Sequence, residues 1–80
     1  MSTKYIQNKI RHYRNLANLK QTELAQLLGF IHEDRICHWE KGVAFPSITN
    51  MFKMCKIFKV KPHELYEGYY EEIVNPDLHD

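Results

Sequence analysis

No run of about 18 consecutive apolar residues occurs in this 80-residue chain, so no stretch of it reads as a membrane-spanning helix. The opening MSTKYIQNKI lacks the apolar core of a secretory signal. Cysteine is scarce. Cys37 and Cys55 do not make a disulfide framework, and a reduced, cytoplasmic compartment is the expected setting. Metal-ligand spacing is missing too. Neither a C-x₂-C nor an H-x₃-H pair is present, and Cys37 and His38, being adjacent, point in different directions on a helix. The chain has no glycine-rich phosphate loop, no nucleophile beside a base and no obvious pocket-forming carboxylate pair. Catalysis, a cofactor and a metal are therefore not expected. Repeats, low-complexity segments and convincing strand patterns are absent as well.

What is present is a single domain's worth of residues with an uneven charge distribution. A chain of this size buries only about 60% of its unfolded surface, so its core must be efficient. All 11 Lys and Arg lie in residues 1–61 beside four acids, a net of +7. Residues 62–80 hold six acids and no Lys or Arg, a net of −6. A basic body thus carries an acidic tail, and the body's sign suits a polyanion.

Helical spacing dominates the body. Residues 3–17 are expected to form a first helix, N-capped by Ser2 or Thr3, with an apolar stripe of Ile6, Ile10, Tyr13, Leu16 and Ala17 and with Arg14 near its edge. Lys9, Arg11, His12 and Asn15 lie off that stripe. Asn18 suits the left-handed stop. A second helix is expected over residues 21–28, with a weak start because Lys20 offers no acceptor, and Gly29 ends it. A third covers residues 33–41, where Ile36 and Trp39 share a core face and Gly42 is the stop. Pro46 and Ser47 open a fourth helix whose expected buried face is Ile48, Met51, Phe52, Cys55 and Phe58. Pro62 begins a short fifth, packed by Leu65 and Tyr66. From Gly68 the pattern fades. Tyr69, Tyr70, Ile73 and Val74 could pack on the body, form a dimer contact or fray, and Asn75-Pro76 breaks any continuing helix.

Residues 10–66 resemble the XRE / Cro–cI type helix-turn-helix regulators of bacteria and phages. Leu19, Gln21, Glu23-Leu24-Ala25, Leu28-Gly29, Ile36, Trp39-Glu40-Lys41-Gly42, Pro46-Ser47, and Val60 with Pro62-His63-Glu64-Leu65 carry the likeness. It implies an all-α, compact five-helix, phage-repressor-like DNA-binding domain over residues 1–67. Its helix-turn-helix is the second and third helices, and an acidic, aromatic tail follows at 68–80. The third helix would lie in the major groove of double-stranded DNA. Gln21 and Thr22, at the start of the second helix, would meet phosphate, although Gln21 could instead only close a capping interaction. Arg14 and Glu40 match a structural ion pair that ties the first helix to the third.

Two departures bear on the groove. Six residues separate Gly29 from Ile36, one more than the family usually has. His32, Glu33, Asp34 and Arg35 occupy that longer approach. His38 faces the groove and Lys41 follows as a phosphate contact. Glu33 and Asp34 stand where Gln, Arg, Ser or Thr are more usual. They either accept from cytosine amino groups, pair with Arg35 or sit in the first helical turn, which favours negative charge. Arg35 reads guanine or holds a phosphate. Val43, Ala44 and Phe45 replace the basic loop residues often seen there, so useful affinity needs a homodimer. The resemblance implies a transcriptional repressor in the cytoplasm, at the nucleoid, with the tail open to a protein partner. An antitoxin-type autoregulator that also binds a toxin, and a protein-interaction module without DNA binding, stay open as other uses of the fold.

Overall fold

The computed structural model of the chain describes residues 5–74, and the first of these, residues 5–9, take no helical turn. Six helices follow: α1 (Ile10–Leu16), α2 (Gln21–Leu27), α3 (Asp34–Lys41), α4 (Ile48–Phe58), α5 (Pro62–Leu65) and α6 (Glu67–Ile73). The described residues contain no strand, and the all-α class holds. No helix among them is long and apolar enough to cross a membrane. One residue from each of the first five helices is almost wholly buried: Ile10, Leu24, Ile36, Met54 and Leu65. That is how a short chain builds an efficient core. Each of these five helices spends its most buried position on a single shared centre.

The first helix begins at Ile10, not at residue 3, and the cause is tertiary. The Ile6 N–H donates to the Gly42 carbonyl (2.9 Å) and the Lys9 N–H to the Leu65 carbonyl (2.8 Å). Asn8 holds the bend between them. Its carboxamide donates to the Ile6 and Trp39 carbonyls and accepts from the Ile10 N–H. Backbone groups bound to α3 and α5 cannot also serve a helical turn. The expected caps Ser2 and Thr3 lie outside the described residues. The expected stripe narrows accordingly. Ile10 is buried and Tyr13 packs on the core, but Leu16 is 66% exposed and Ala17 is exposed too. Asn18 takes the expected left-handed conformation (φ 58°).

Residues 5–9 also explain Gly42. It caps α3 at φ +82°, and a Cβ there would stand 2.6 Å from the Ile6 carbonyl oxygen and 2.8 Å from its nitrogen. Only glycine admits both the left-handed turn and the strap passing over it. The start of α2 is better closed than its Lys20 suggests, because the Glu23 carboxylate accepts from the Lys20 N–H at 2.7 Å. Ser47 caps α4 as expected, accepting from the Asn50 N–H at 3.2 Å.

The buried face of α4 is a correction. Met51, Met54 and Cys55 are buried, whereas Ile48 is 69% and Phe52 56% exposed. Two apolar stripes on this helix share Met51 and Cys55, and either is a valid helical face. The adaptable thioethers of Met51 and Met54 fill the centre, Phe58 packs on the core as expected, and Ile48 and Phe52 fall to the flank. Leu65 and Tyr66 pack as expected. The tail contributes a sixth helix, α6, which begins at Glu67 and so spans the expected 67/68 division. Tyr69 packs on the core, and Phe45 bridges to Tyr66 and Tyr69 with ring centroids 4.8 and 6.1 Å away. Asn75 and Pro76 lie outside the described residues.

Candidate nucleic-acid interface

The helix-turn-helix is built from α2, a turn and α3. Gly29 leaves α2 at φ +89°. The Phe30 N–H then donates back to the Ala25 carbonyl at 2.8 Å, which fixes the direction of exit. Phe30 half-buries its ring edge-on to Trp39, centroids 5.9 Å apart. The extra residue of the turn is accommodated outward. Ile31 is 89% exposed, and His32 is exposed beside it. The chain re-enters a helix at Asp34, with Glu33 half-buried as the N-cap but making no side-chain cap hydrogen bond.

The two faces of α3 are sharply divided. Ile36 and Trp39 are buried in the core, as their spacing predicts. Asp34, Arg35, His38 and Lys41 are exposed. Asp34, His38 and Lys41 recur at i, i+4 and i+7, which is one stripe of a helix, and Arg35 borders it. Among the described residues neither Glu33 nor Asp34 pairs with Arg35. The Arg35 guanidinium instead lies over the Phe30 ring, 4.8 Å from its centroid. That contact holds the head of the side chain at the rim of the turn, with its hydrogen-bond donors open.

Behind this surface stands Glu40, whose side chain is wholly buried. Arg14, 11% exposed, meets it from α1 in a fork. Nε donates to Oε2 at 2.5 Å and Nη2 to Oε1 at 3.2 Å, and Nη1 also reaches the Leu19 carbonyl at 2.9 Å. Arg11 adds a longer bond from Nε at 3.3 Å. Burial alone would raise the Glu40 carboxyl. The hydrogen bonds from Arg14 and Gln21, then the charge of Arg14 and the bond from Arg11, outweigh it and hold the group below its ordinary 4.5. The expected Arg14–Glu40 tie is thus one part of a larger node.

Gln21, the first residue of α2, belongs to that node: its Nε2 donates to Glu40 Oε1 at 2.9 Å. Thr22 is exposed beside it. The eight residues expected to face DNA therefore fall in two groups. Gln21 and Thr22 sit at the head of α2; His32, Glu33, Asp34, Arg35, His38 and Lys41 run along the turn and α3. Sequence reasoning missed Asn8, whose carboxamide reaches the Trp39 carbonyl at 2.8 Å, and Arg11 as a Glu40 partner. Asn8 stands two residues before Ile10, a spacing that marks an Asx-type helix start.

The comparisons with known proteins agree with this geometry. A helix-turn-helix family model matches residues 10–65. An uncharacterized HTH-type transcriptional regulator of Methanocaldococcus jannaschii is 39% identical over 61 residues, which cover 76% of this chain and 91% of the relative. Another uncharacterized HTH-type transcriptional regulator, from Archaeoglobus fulgidus, is 28% identical over 68 residues, covering 85% of this chain and 94% of the relative. Both come from archaea, outside the bacterial and phage setting attached to the sequence resemblance. With a family model over most of its length, a relative 39% identical over 61 residues and the α2–turn–α3 geometry in place, the chain belongs to the XRE / Cro–cI type helix-turn-helix family of transcriptional regulators.

Proposed function

We propose that the protein binds double-stranded DNA sequence-selectively as a homodimer, with α3 in the major groove, and represses transcription by occupying its site. The observation that carries this reading is the divided α3. Its inner face is fixed by Ile36, Trp39 and the Glu40 node, and its outer face offers Arg35, His38 and Lys41 at helical spacing. In this reading His38 meets base edges and Arg35 forks to guanine or a phosphate. Glu33 and Asp34 accept from cytosine, His32 stands at the groove's edge, and Lys41, Gln21 and Thr22 hold phosphates. The site of action is the nucleoid within the cytoplasm.

The dimer rests on a second surface. Ile48 and Phe52 on α4 and Tyr70, Ile73 and Val74 at the end of the fold are all at least 40% exposed. A groove of about 370 Å³ lies between Phe45, Met51, Tyr66, Tyr69 and Ile73. α4 carries Lys53 and Lys56 and no acid, while α6 carries three acids and no base, one of the acids, Glu67, being held by Lys9 of the same chain. A second copy, with its α6 against this α4 and the reverse, covers the exposed apolar area and sets an acidic helix beside a basic one in a two-fold arrangement.

Selection from a random duplex pool, followed by titration of the enriched DNA at low and high salt, tests the function. Enrichment of a two-fold symmetric site with micromolar or tighter, salt-sensitive binding supports it. Absence of selective binding defeats it and favours a protein-interaction module instead, a reading that the exposed carboxylate of Asp34 on the outer face also suits.

A further inference from the structure

We infer that a cleft between α1 and the C-terminal end of α3 is a second track for the DNA backbone, taking the phosphodiester of the duplex beside the groove that α3 enters. This rests on the DNA-binding reading and extends it to residues outside the helix-turn-helix. Arg11, His12 and Asn15 fall at i, i+1 and i+4 on α1, and Asn8 precedes them in the bend of the strap. They line a cleft of about 650 Å³ whose other wall is Glu40 and Lys41.

The cleft is electropositive despite holding Glu40. That carboxylate is buried and its charge is met by Arg14. Arg11 gives it a single long bond while its own side chain stays 63% exposed, so most of the guanidinium's donors remain open. Lys41 has no acidic partner among the described residues, and His12 and Asn15 are exposed donors. Lys9, at the cleft's rim, is different, because its ammonium is taken by Glu67 at 2.7 Å.

Continuity gives the cleft its ligand. Lys41 belongs both to this wall and to the exposed stripe of α3, and Gln21 at the head of α2 is bonded to the same Glu40. A backbone strand running past both helix ends therefore meets α1. The loop after α3 offers no cation, since Val43, Ala44 and Phe45 stand there. The phosphate contacts missing from that loop are supplied here by Arg11, His12 and Asn15. Seen as a lone helix, these residues were an ordinary solvated face.

The test is anisotropy of a labelled mixed-sequence duplex with the full chain, repeated over a series of salt concentrations. Arg11→Met weakens binding and reduces the slope of log K against log salt by about 1, the signature of one lost phosphate contact. Lys59→Met removes the same charge on the other flank of α1, where Lys59 lines a groove with Tyr13, Leu16 and Ala17, and leaves the slope unchanged. His12→Glu weakens binding with an unaltered melting temperature, which excludes a folding effect through Glu40. If wild type binds in a salt-sensitive way while Arg11→Met and His12→Glu match it at every salt, the cleft is not a backbone track and the α3 reading stands. If wild type shows no salt-sensitive binding to duplex DNA, both fall together.

Discussion

Neighbouring residues of α3 live under different constraints. Trp39 and Glu40 are enclosed, one by apolar side chains and the other by Arg14, Arg11 and Gln21. His38 and Lys41, each one position away, touch solvent. On the inner side the Trp39 ring packs in the core and both Glu40 oxygens accept hydrogen bonds from within the molecule, so these identities are set by the fold. On the outer side Arg35, His38 and Lys41 are exposed, and under the proposed DNA-binding function their identity is set by what they meet there. A helix divided this way lets specificity change with little cost in stability, because the two properties use different residues of the same eight-residue element.

Four measurements press on that division. The largest effect belongs to Trp39→Ala, expected to lower unfolding free energy in urea by about 3–5 kcal/mol through lost burial and a cavity. A loss under about 1 kcal/mol would mean that the inner face is not what anchors α3. Next comes Arg14→Ala, expected to cost about 3 kcal/mol because it strips the main partner from a buried carboxylate. An unchanged melt would sink the node as a structural element. The third is a pH series. The folded Glu40 ionises below its ordinary 4.5, so it contributes stability above that pH and loses it as pH falls through the lower folded value. Glu40→Gln is therefore expected to be less stable than wild type near neutrality and to show a shallower decline on acidification. A wild-type acid limb reproduced by Glu40→Gln would assign that limb to other carboxylates. The smallest structural effect is on the outer face. His38→Ala is expected to shift unfolding by no more than about 0.5 kcal/mol. Its binding to a selected DNA site should weaken by roughly 1–3 kcal/mol, with discrimination lost at one base pair. Equal losses of folding and binding would erase the distinction between the faces.

The same division separates what could be read in the chain from what could not. Stops that depend on one residue's backbone freedom were legible: Asn18, Gly29 and Gly42 all take left-handed conformations where expected. So was the cap at Ser47, and so were Ile36 and Trp39, whose spacing leaves only one inward face. The Arg14–Glu40 tie came through family resemblance, since nothing local joins residues so far apart. The first helix was overextended because periodicity at Ile6 and Ile10 is satisfied equally by a helix and by a strap, and the choice is made by the Gly42 and Leu65 carbonyls. In α4 two stripes shared residues, and only packing against the other helices selected the one with Met54. The tail helix was obscured by Gly68, whose position a Cβ would bring against the side chain of Gln7. At the candidate interface, the exposure of His38 followed from anchoring on Ile36, the longer turn left residues 32–35 open by one place, and Arg11 was invisible as a Glu40 partner until α1 was set beside α3.

The strap also has a temporal side. Its amides at Ile6 and Lys9 bond to carbonyls at the end of α3 and the end of α5, so neither bond can form before those distant helices have met. Contacts within the α2–α3 pair close short loops and cost little chain entropy, while the strap closes the longest loops in the domain. It is thus expected to dock late and to leave early. Protection of the Ile6 and Lys9 amides from hydrogen exchange would report that late step of assembly, separately from the recognition unit beneath it.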